Sequence, residues 1–172
     1  MTTQESARPV RDYAGIRSPG PWRDIDHPRQ SFTGPLVHEI TVGWGDCDPA
    51  QIAYTANIPA WSLDAIEAWY RHCVGAGWYE LNLRYGIGTP FVSLGFDFKS
   101  PVTPLHVLGI CVEVTHIGNS SVSHAVTGRQ NGTLCFTGQT TATFVEAAAM
   151  SPLRIPPNIR SSIETYQSAQ GS

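Results

Sequence analysis

The chain has 172 residues and a mass of 18.7 kDa, which is the usual size of one domain. Hydrophobic residues make up 41% of the sequence and charged residues 15%, so the chain is too apolar to be disordered and can bury a sizeable core. The net charge of −3 excludes a generally basic nucleic-acid-binding protein, and the single lysine, Lys99, excludes a polybasic membrane patch.

The cysteines and the N-terminus indicate the compartment. The four cysteines form no C-x-x-C pair, which argues against a zinc knuckle and a redox dithiol. No apolar run reaches the ~18–20 residues of a membrane helix, and the N-terminus lacks the apolar segment of a secretory signal. We therefore expect a cytoplasmic protein with free thiols that binds neither membrane nor nucleic acid.

Residues 1–35 are predicted to form an irregular N-terminal arm, because they contain five prolines and no sustained hydrophobic period. Two alternatives remain open for it. The arm lies across the domain surface through Tyr13, Trp22 and Phe32, or it is a partly disordered tail.

The domain is predicted to begin near Leu36 with LVHEITVGW, whose alternating apolar and polar residues are typical of a half-buried strand. After the break GDCDPAQ, a long apolar helix is predicted over 58–74, with Asn57 as its N-cap and Gly75 ending it. Because this helix is apolar on nearly every side, we expect other elements to surround it. WYELNLRYG then forms a short second helix or an irregular turn.

From Thr89 onward the hydrophobic period is two, and four further strands are predicted: FVSLGFDFKSP, HVLGICVEVTHIG, SSVSHAVTGRQ and TLCFTGQTTATFVEA. The turns between them, Asn131-Gly132 above all, make the strands antiparallel. The predicted fold is α+β, a curved five-stranded antiparallel sheet wrapped around one long helix, which is the hot-dog layout. The predicted domain spans 36–150, and 151–172 is a tail with a possible short helix. Because such sheets leave edges exposed, we expect a homodimer or a homotetramer.

The densest polar cluster is Gly45-Asp46-Cys47-Asp48-Pro49, directly before the long helix. We expect one of the two aspartates to face inward and the other to cap the loop. Asp48, with the backbone N–H groups of Tyr54 and Thr55 at the helix start, would supply a nucleophile or base beside an oxyanion donor. That combination suits acyl transfer. The alternative is a loop-capping Asx turn.

WGDCDPAQIAYTANIPAW resembles the active-site segment of the 4-hydroxybenzoyl-CoA thioesterase family of hot-dog enzymes. The likeness continues in GIGTPFVSLGFDFKSPV and in the turn Gly118-Asn119-Ser120-Ser121, and it covers most of 36–147. The resemblance implies hydrolysis of an acyl- or aryl-CoA thioester, with Asp48 attacking the carbonyl or activating water. It also implies that the oxyanion donor lies on or next to Thr55.

The resemblance further implies two groups of binding residues, and coenzyme A enters only as part of the substrate, with no other cofactor. The residues expected to contact the acyl end are Gln51, Asn57, Trp61, Asp64, Thr89, Pro90 and Phe91. Those expected to contact the CoA nucleotide are Asn119, Ser120, Ser121 and Arg129.

Three departures from the family pattern affect specificity. Gln51 replaces the usual glycine after DPA, so the loop shape near the thioester is expected to differ. One additional residue after Trp61 turns Asp64 by about 100° around the helix, which puts 4-hydroxybenzoyl-CoA itself in doubt. The segment around the serine turn lacks basic residues, so phosphate contacts must come from elsewhere. One hypothesis is that the arginine-rich segment 8–29 of a neighbouring subunit supplies them.

Several other residues have structural interpretations. Trp61 and Trp69 are expected in the core, with lining of the acyl pocket as the alternative. Glu67 needs a hydrogen-bonding partner within its apolar helix, and Cys47 is expected to be buried and unreactive. The histidines show no metal-ligand spacing, so no metal site is expected.

A bulky or aromatic acyl group is favoured by Trp44, Trp61, Trp69 and Phe91 near the predicted pocket. Two alternative functions remain. A dehydratase of β-hydroxyacyl thioesters on the same fold would need a paired histidine and acid, and the motif contains no histidine. A non-catalytic acyl-CoA or acyl-carrier binding module is the other alternative.

Overall fold

The computed structural model describes Pro21, Arg23, Ile25 and residues 31–171. In chain order its elements are β1 (Leu36–Ile40), a 3-10 turn (Trp44–Asp46), α1 (Asn57–Cys73), α2 (Trp78–Tyr85), β2 (Ile87–Gly88), β3 (Phe91–Phe98), β4 (Leu108–Ile117), β5 (Ser121–Gln130), β6 (Thr133–Thr143), β7 (Val145–Glu146), β8 (Ser151–Pro152) and α3 (Pro157–Ala169).

The main sheet has five strands in the order β1-β4-β5-β6-β3, and every pairing in it is antiparallel. The prediction of a five-stranded antiparallel sheet with one long helix is confirmed. Asn131 and Gly132 join β5 to β6 with φ values of 46° and 78°. A two-residue hairpin turn that matches the right-handed twist of its strands requires positive φ at both positions. A small sheet of β2, β7 and β8 was not predicted, because strands of two residues carry no readable period.

The sheet buries one face because alternate residues of its strands are apolar. On β4 these are Ile110, Val112 and Val114, and on β5 they are Val122 and Val126. They form one core with the inner face of α1. Burying apolar side chains of this size contributes about 1.5–3 kcal/mol each relative to leaving them in water.

Helix α1 begins one residue earlier than predicted, and the capping role of Asn57 was wrong. Asn57 is the first helical residue, and Ala56 precedes the helix without a side-chain cap. The Asn57 side chain instead donates from Nδ2 to the Asp46 carbonyl oxygen at 2.9 Å. The helix is not surrounded on every side either, since Asp64 and Arg71 are exposed.

Both chain termini contribute contacts to this domain. The Tyr166 hydroxyl of α3 donates to the Val112 carbonyl oxygen at 2.6 Å and accepts from the Leu36 N–H at 2.7 Å, which links the helix to β4 and β1. Near the N-terminus, Ile25 is buried, and its carbonyl accepts from Asn158 Nδ2 at 3.2 Å. The predicted boundaries at 36 and 150 stay predictions.

Of the arm residues predicted to contact the domain, Phe32 packs edge-on against the rings of His72 and Tyr166, each with ring centroids 5.2 Å apart. Tyr13 and Trp22 lie outside the described residues, and so does most of the segment 8–29.

Candidate active site

The GDCDPAQ segment forms a small hairpin between β1 and α1. Its two sides are joined by the pairing of Cys47 with Ala53, and the Asp48 N–H donates to the Ile52 carbonyl at 2.9 Å. The Gln51 N–H closes the turn by donating to the Asp48 carbonyl at 2.9 Å, and Gln51 has a φ of 63°. A turn followed by a left-handed bulge residue is a common hairpin connection, and glycine is the usual residue at that position.

The two aspartates of this hairpin have different partners. Asp46 Oδ2 accepts from the Gly43 N–H at 2.7 Å, so Asp46 holds the loop, as was expected for one of the pair. Asp48 Oδ1 accepts from the Ala50 N–H at 2.8 Å, which is an Asx-type bond. Within the described residues no group donates to Asp48 Oδ2, and the side chain is half-exposed. One oxygen of Asp48 therefore remains open to a ligand.

The backbone N–H of Thr55 is available at the start of α1. The structure describes no acceptor for it in residues 31–171, and the first turn of α1 carries no acidic side chain. Tyr54 does not share this role, because its N–H donates to the Asp46 carbonyl at 2.8 Å. Of the two N–H groups expected as donors, only that of Thr55 is therefore without a partner in the described residues. An unpaired N–H at the positive end of a helix dipole favours a developing negative charge.

A cavity of about 270 Å³ opens beside Thr55. Its lining is mostly apolar and consists of Ile52, Ala53, Thr55, Ile58, Phe98, Lys99, Ser100, Pro101, Val102, Cys135 and Phe136. The segment after β3 is fixed there because the Lys99 N–H donates to the Cys135 carbonyl at 2.8 Å. Burial raises the pKa of the Cys135 thiol, which disfavours the thiolate that would act as a nucleophile.

Sequence reasoning missed the wall of this cavity formed by residues 98–102 and 135–136. The signal that could have found it is Lys99, the single lysine, followed by a proline at the end of a strand. A hydrogen bond holds this wall against the GDCDPAQ hairpin: the Ala53 N–H donates to the Val102 carbonyl at 2.8 Å. Such a contact between distant segments cannot be predicted from the sequence.

Several residues expected at the acyl end lie away from the cavity within one chain. Phe91 packs edge-on against Trp78, with ring centroids 5.6 Å apart, and Thr89 and Pro90 precede it. Phe91 begins β3 and Phe98 ends it, so an extended strand separates them by about 23 Å. Asp64 is exposed on α1, and Trp61 packs half-buried against the core.

The serine turn joins the sheet to the C-terminal segment. The Asn119 carbonyl accepts from the Ile155 N–H at 3.0 Å, and the Ser120 carbonyl accepts from the Phe144 N–H at 2.6 Å. The Arg160 side chain donates to the Gly118 carbonyl. These bonds direct the backbone carbonyls of the turn toward the protein.

Two arginines lie beside this turn, in a second cavity of about 490 Å³ lined by residues 153–157 and Arg160. Arg154 is exposed there, whereas Arg160 also pairs with Glu164 at 3.5 Å. Arg129 does not join them. It donates to the Gly132 carbonyl at 3.1 Å, and β5 separates it from Ser121 by about 27 Å.

Three structural interpretations can be assessed directly. Glu67 has its expected partner, because Arg71 pairs with it at 2.9 Å. Cys47 is half-buried, so the expectation of full burial was wrong. In the part of the chain that the structure describes, no three His, Cys, Asp or Glu side chains come together as a metal site requires.

His124 is a buried group that sequence reasoning did not single out. It lies on β5 against the ring of Trp69, with ring centroids 4.5 Å apart, and neither ring nitrogen has a hydrogen-bond partner among the described residues. Burial lowers the pKa of His124 to about 3. The imidazole is therefore neutral at ordinary pH, and it lies in the core rather than in the cavity beside Thr55.

The sequence model of the thioesterase-like superfamily matches residues 42–163, which is more than half of the chain. The chain belongs to the thioesterase-like superfamily. Membership of this superfamily identifies it as a thioester hydrolase of the hot-dog fold, and the resemblance seen in the GDCDP segment is confirmed. No similar sequence was found among the curated proteins.

Solved structures agree with this assignment. A thioesterase-superfamily protein of Jannaschia sp. CCS1 is 42% identical, with a TM-score of 0.75 over 83% of this chain and 98% of that chain. A 1,4-dihydroxy-2-naphthoyl-CoA thioesterase from Synechocystis is 17% identical, with a TM-score of 0.69 over 76% and 96% of the two chains. A DHNA-CoA thioesterase from Staphylococcus aureus is 18% identical, with a TM-score of 0.68 over 80% and 91%. The latter two likenesses show the fold alone. In the described residues, no helix is long and apolar enough to cross a membrane.

Proposed function

We propose that this thioesterase hydrolyses an acyl-CoA thioester to the free acid and CoA, with Asp48 as the nucleophile or general base. One observation carries the proposal. The open oxygen of Asp48 and the unpaired N–H of Thr55 belong to one short segment, and Thr55 opens onto an apolar cavity. A carboxylate and an oxyanion donor are the two groups that acyl transfer from a thioester requires.

The reaction follows from these two groups. The thioester carbonyl oxygen accepts from the Thr55 N–H, and this bond strengthens as negative charge develops on the oxygen. In the nucleophilic route Asp48 adds to the carbonyl carbon and CoA leaves as a thiolate, giving a mixed anhydride that water opens. In the general-base route Asp48 takes a proton from water as the water oxygen adds to the carbonyl carbon, and the C–S bond then breaks to release CoA, whose sulfur takes up the proton. A thioester is already activated, so either route proceeds without a further cofactor.

The cavity favours a bulky, apolar or aromatic acyl group. Its lining includes Ile58, Phe98 and Phe136 together with the basic residue Lys99. Two of the similar structures are named as thioesterases of DHNA-CoA or 1,4-dihydroxy-2-naphthoyl-CoA, which supports an aryl-CoA as the first substrate class to try. The dehydratase alternative is disfavoured, because in the part of the chain that the structure describes the cavity lining holds no histidine to pair with an acid.

For the CoA nucleotide, the serine turn with Arg154 and Arg160 is a better candidate than Arg129. Both arginines line the cavity beside the turn, and guanidinium groups bind phosphates well. This assignment would replace the missing basic residues of the turn with residues from the C-terminal segment.

A homodimer is proposed as the working assembly, in a reducing cytoplasm. Strand β3 is an edge of the main sheet and is mostly exposed. Its apolar residues Val92, Leu94 and Phe98 are 64%, 48% and 53% exposed. An apolar edge of eight residues is a template for pairing with a second strand, and a second copy of β3 would cover it.

The test is thiol release from a panel of CoA esters, including benzoyl, hydroxybenzoyl, phenylacetyl and short aliphatic esters. The wild type should hydrolyse one class, and Asp48→Asn should lower kcat by about 100-fold or more, comparable to the loss of an oxyanion donor. Glu39→Gln removes an exposed carboxylate of β1 and is the matched control. If the wild type binds CoA esters but releases no thiol, the binding-module alternative is correct instead.

A further inference from the structure

Gln51 has a backbone conformation that glycine adopts at far lower cost. In the part of the chain that the structure describes, three non-glycine residues have positive φ: Gln51 at 63°, Asn131 at 46° and Met150 at 52°. A Cβ atom in this left-handed region clashes with the following carbonyl, and asparagine tolerates it better than glutamine does. The strained residue of the candidate active site therefore lies three positions after Asp48.

The side chain of Gln51 is also uncommitted. It is exposed, and its carboxamide makes no hydrogen bond within the described residues. Gln130 shows what a structural glutamine does in this protein. Its carboxamide donates to the Thr103 and His106 carbonyls at 2.8 Å and 2.6 Å and accepts from the Thr103 N–H at 2.9 Å. No contact among residues 31–171 explains why a strained position holds glutamine.

We propose that Gln51 is a positioning residue whose carboxamide binds an amide of the pantetheine arm of the thioester substrate. The inference rests on the proposed thioesterase function. A carboxamide offers both a donor and an acceptor, which is the complement of a secondary amide. Backbone strain that persists beside a reactive group, and that no contact in the fold explains, indicates a role in the site.

The geometry of the turn favours the pantetheine amide over the acyl group as the part of the substrate that Gln51 binds. A β-turn closed by the Gln51 N–H on the Asp48 carbonyl holds the two Cα atoms within about 7 Å. In CoA esters, an ethylene group separates the sulfur from the nearest pantetheine amide. With Asp48 at the thioester carbon, an amide at that spacing would be within reach of a glutamine side chain three residues further along the turn. The acyl group, on the other side of the carbonyl, would then extend away from Gln51.

The test compares two thioesters of the same acyl group. The N-acetylcysteamine thioester retains the amide at the pantetheine position, and the butanethiol thioester replaces it with hydrocarbon. Wild-type enzyme should prefer the first. Gln51→Ala, which removes the carboxamide and retains the Cβ atom, should lower kcat/KM on the amide-bearing thioester by roughly 3- to 10-fold, chiefly through KM. On the butanethiol thioester the same variant should change kcat/KM by less than about 2-fold.

Two glycine variants separate binding from backbone strain. Gln51→Gly removes the carboxamide and the strain together, so its Tm should rise by about 2–4 °C while it loses the same substrate preference as Gln51→Ala. Met150→Gly relieves the same kind of strain in the turn between β7 and β8. Its Tm should rise similarly, and its preference for the amide-bearing thioester should equal that of the wild type.

Each other outcome overturns the inference. An equal loss on both thioesters in Gln51→Ala would assign Gln51 a purely structural role. Unchanged kinetics on both would show that the carboxamide binds nothing during the reaction. If the wild type releases thiol from CoA esters and from both small thioesters but shows no preference between these two, only the Gln51 inference fails. If it releases thiol from none of them, the thioesterase function itself fails, and the inference with it.

Discussion

The two ends of α1 are built for different purposes. At the C-terminal end two backbone carbonyls are paired: the Gly75 N–H donates to the Tyr70 and Arg71 carbonyls at 3.1 Å, and basic residues in the last turn complement the helix dipole. At the N-terminal end the helix has no side-chain cap, and the Thr55 N–H has no partner in the described residues. A helix end that leaves donors unpaired beside a cavity gives up stability and retains the capacity to bind an anion.

The two ends of α1 also differ in how deeply the neighbouring aromatic residues are buried. Trp69 and Tyr70 are fully buried near the C-terminal end and pack edge-on, with ring centroids 4.9 Å apart. Around the N-terminal end, Trp44 and Tyr54 are 74% and 57% exposed. Changes at the C-terminal end should therefore affect stability first, and changes at the N-terminal end should affect turnover first.

The largest expected effect on stability is at Trp69. Trp69→Ala removes a fully buried indole, so the free energy of unfolding should fall by about 3–5 kcal/mol, measured by urea denaturation. Trp69→Phe retains most of the volume and should leave kcat/KM unchanged. A tenfold loss of kcat/KM in Trp69→Phe at unchanged stability would mean that Trp69 lines the acyl pocket, which is the alternative that the sequence left open.

At the opposite end, Thr55→Pro removes the backbone N–H without breaking a hydrogen bond in the described residues. Turnover should fall by about 10²- to 10³-fold, which corresponds to about 2.7–4 kcal/mol of barrier. Thr55→Ala retains the N–H and serves as the control, with kcat close to that of the wild type. Circular dichroism and Tm should show that both variants are folded. Equal activity in the two variants would remove Thr55 from the oxyanion role.

The fold could be predicted from the sequence because the patterns that indicate it are local. The alternation in β4 and β5, the Asn131-Gly132 turn and the apolar run of α1 each depend on neighbours in the chain. The GDCDP segment is local as well, so a loop contact of the kind that Asp46 makes could be expected from the sequence, and the catalytic role of Asp48 is proposed from the same segment. The bond from Tyr54 to Asp46, which removes one of the two expected donors, was not accessible because it depends on the exact hairpin register.

The rest of the site depends on contacts between distant segments. The cavity wall requires Ala53 to meet Val102, and the second cavity requires Arg160 to meet the Gly118 turn. No local pattern predicts such pairings. The same holds for Phe91, whose family motif predicted proximity to the site although one chain places it at the far end of β3. If β3 pairs with β3 of a second copy, the distance between Phe91 and the cavity must be measured across subunits.

Protonation of His124, which packs near the C-terminal end of α1, should make the free energy of unfolding depend on pH. The expected effect is smaller than those of the substitutions above. Its pKa is lowered to about 3 by burial, against 6.5 for an ordinary histidine, so the unfolded chain binds this proton between those values and the folded chain does not. Above pH 6.5 the imidazole is neutral in both states and the protein keeps its full stability. As the pH falls from 6.5 toward 3, protonation of the unfolded chain progressively lowers the free energy of unfolding. Between pH 6.5 and pH 4.5 the free energy of unfolding should decrease by about 2 kcal/mol.

Urea unfolding of the wild type and of His124→Gln at both pH values measures this contribution. The variant removes the titrating ring, so its stability should change less between the two pH values than that of the wild type. If the two proteins lose the same stability on acidification, the pH dependence comes from carboxylates elsewhere, and His124 contributes none of it.

The smallest expected effect is at Asp64, which lies between the two ends of α1 and is exposed. Asp64→Asn should change stability by less than about 0.5 kcal/mol, because an exposed residue without a partner in the described structure contributes little to folding. Its kcat/KM should stay within about 2-fold of the wild type on CoA esters with and without a ring hydroxyl. A loss confined to the hydroxylated ester would show that Asp64 contacts the acyl group after all. Since one chain leaves Asp64 away from its own cavity, that contact would have to be made in the site of a second subunit.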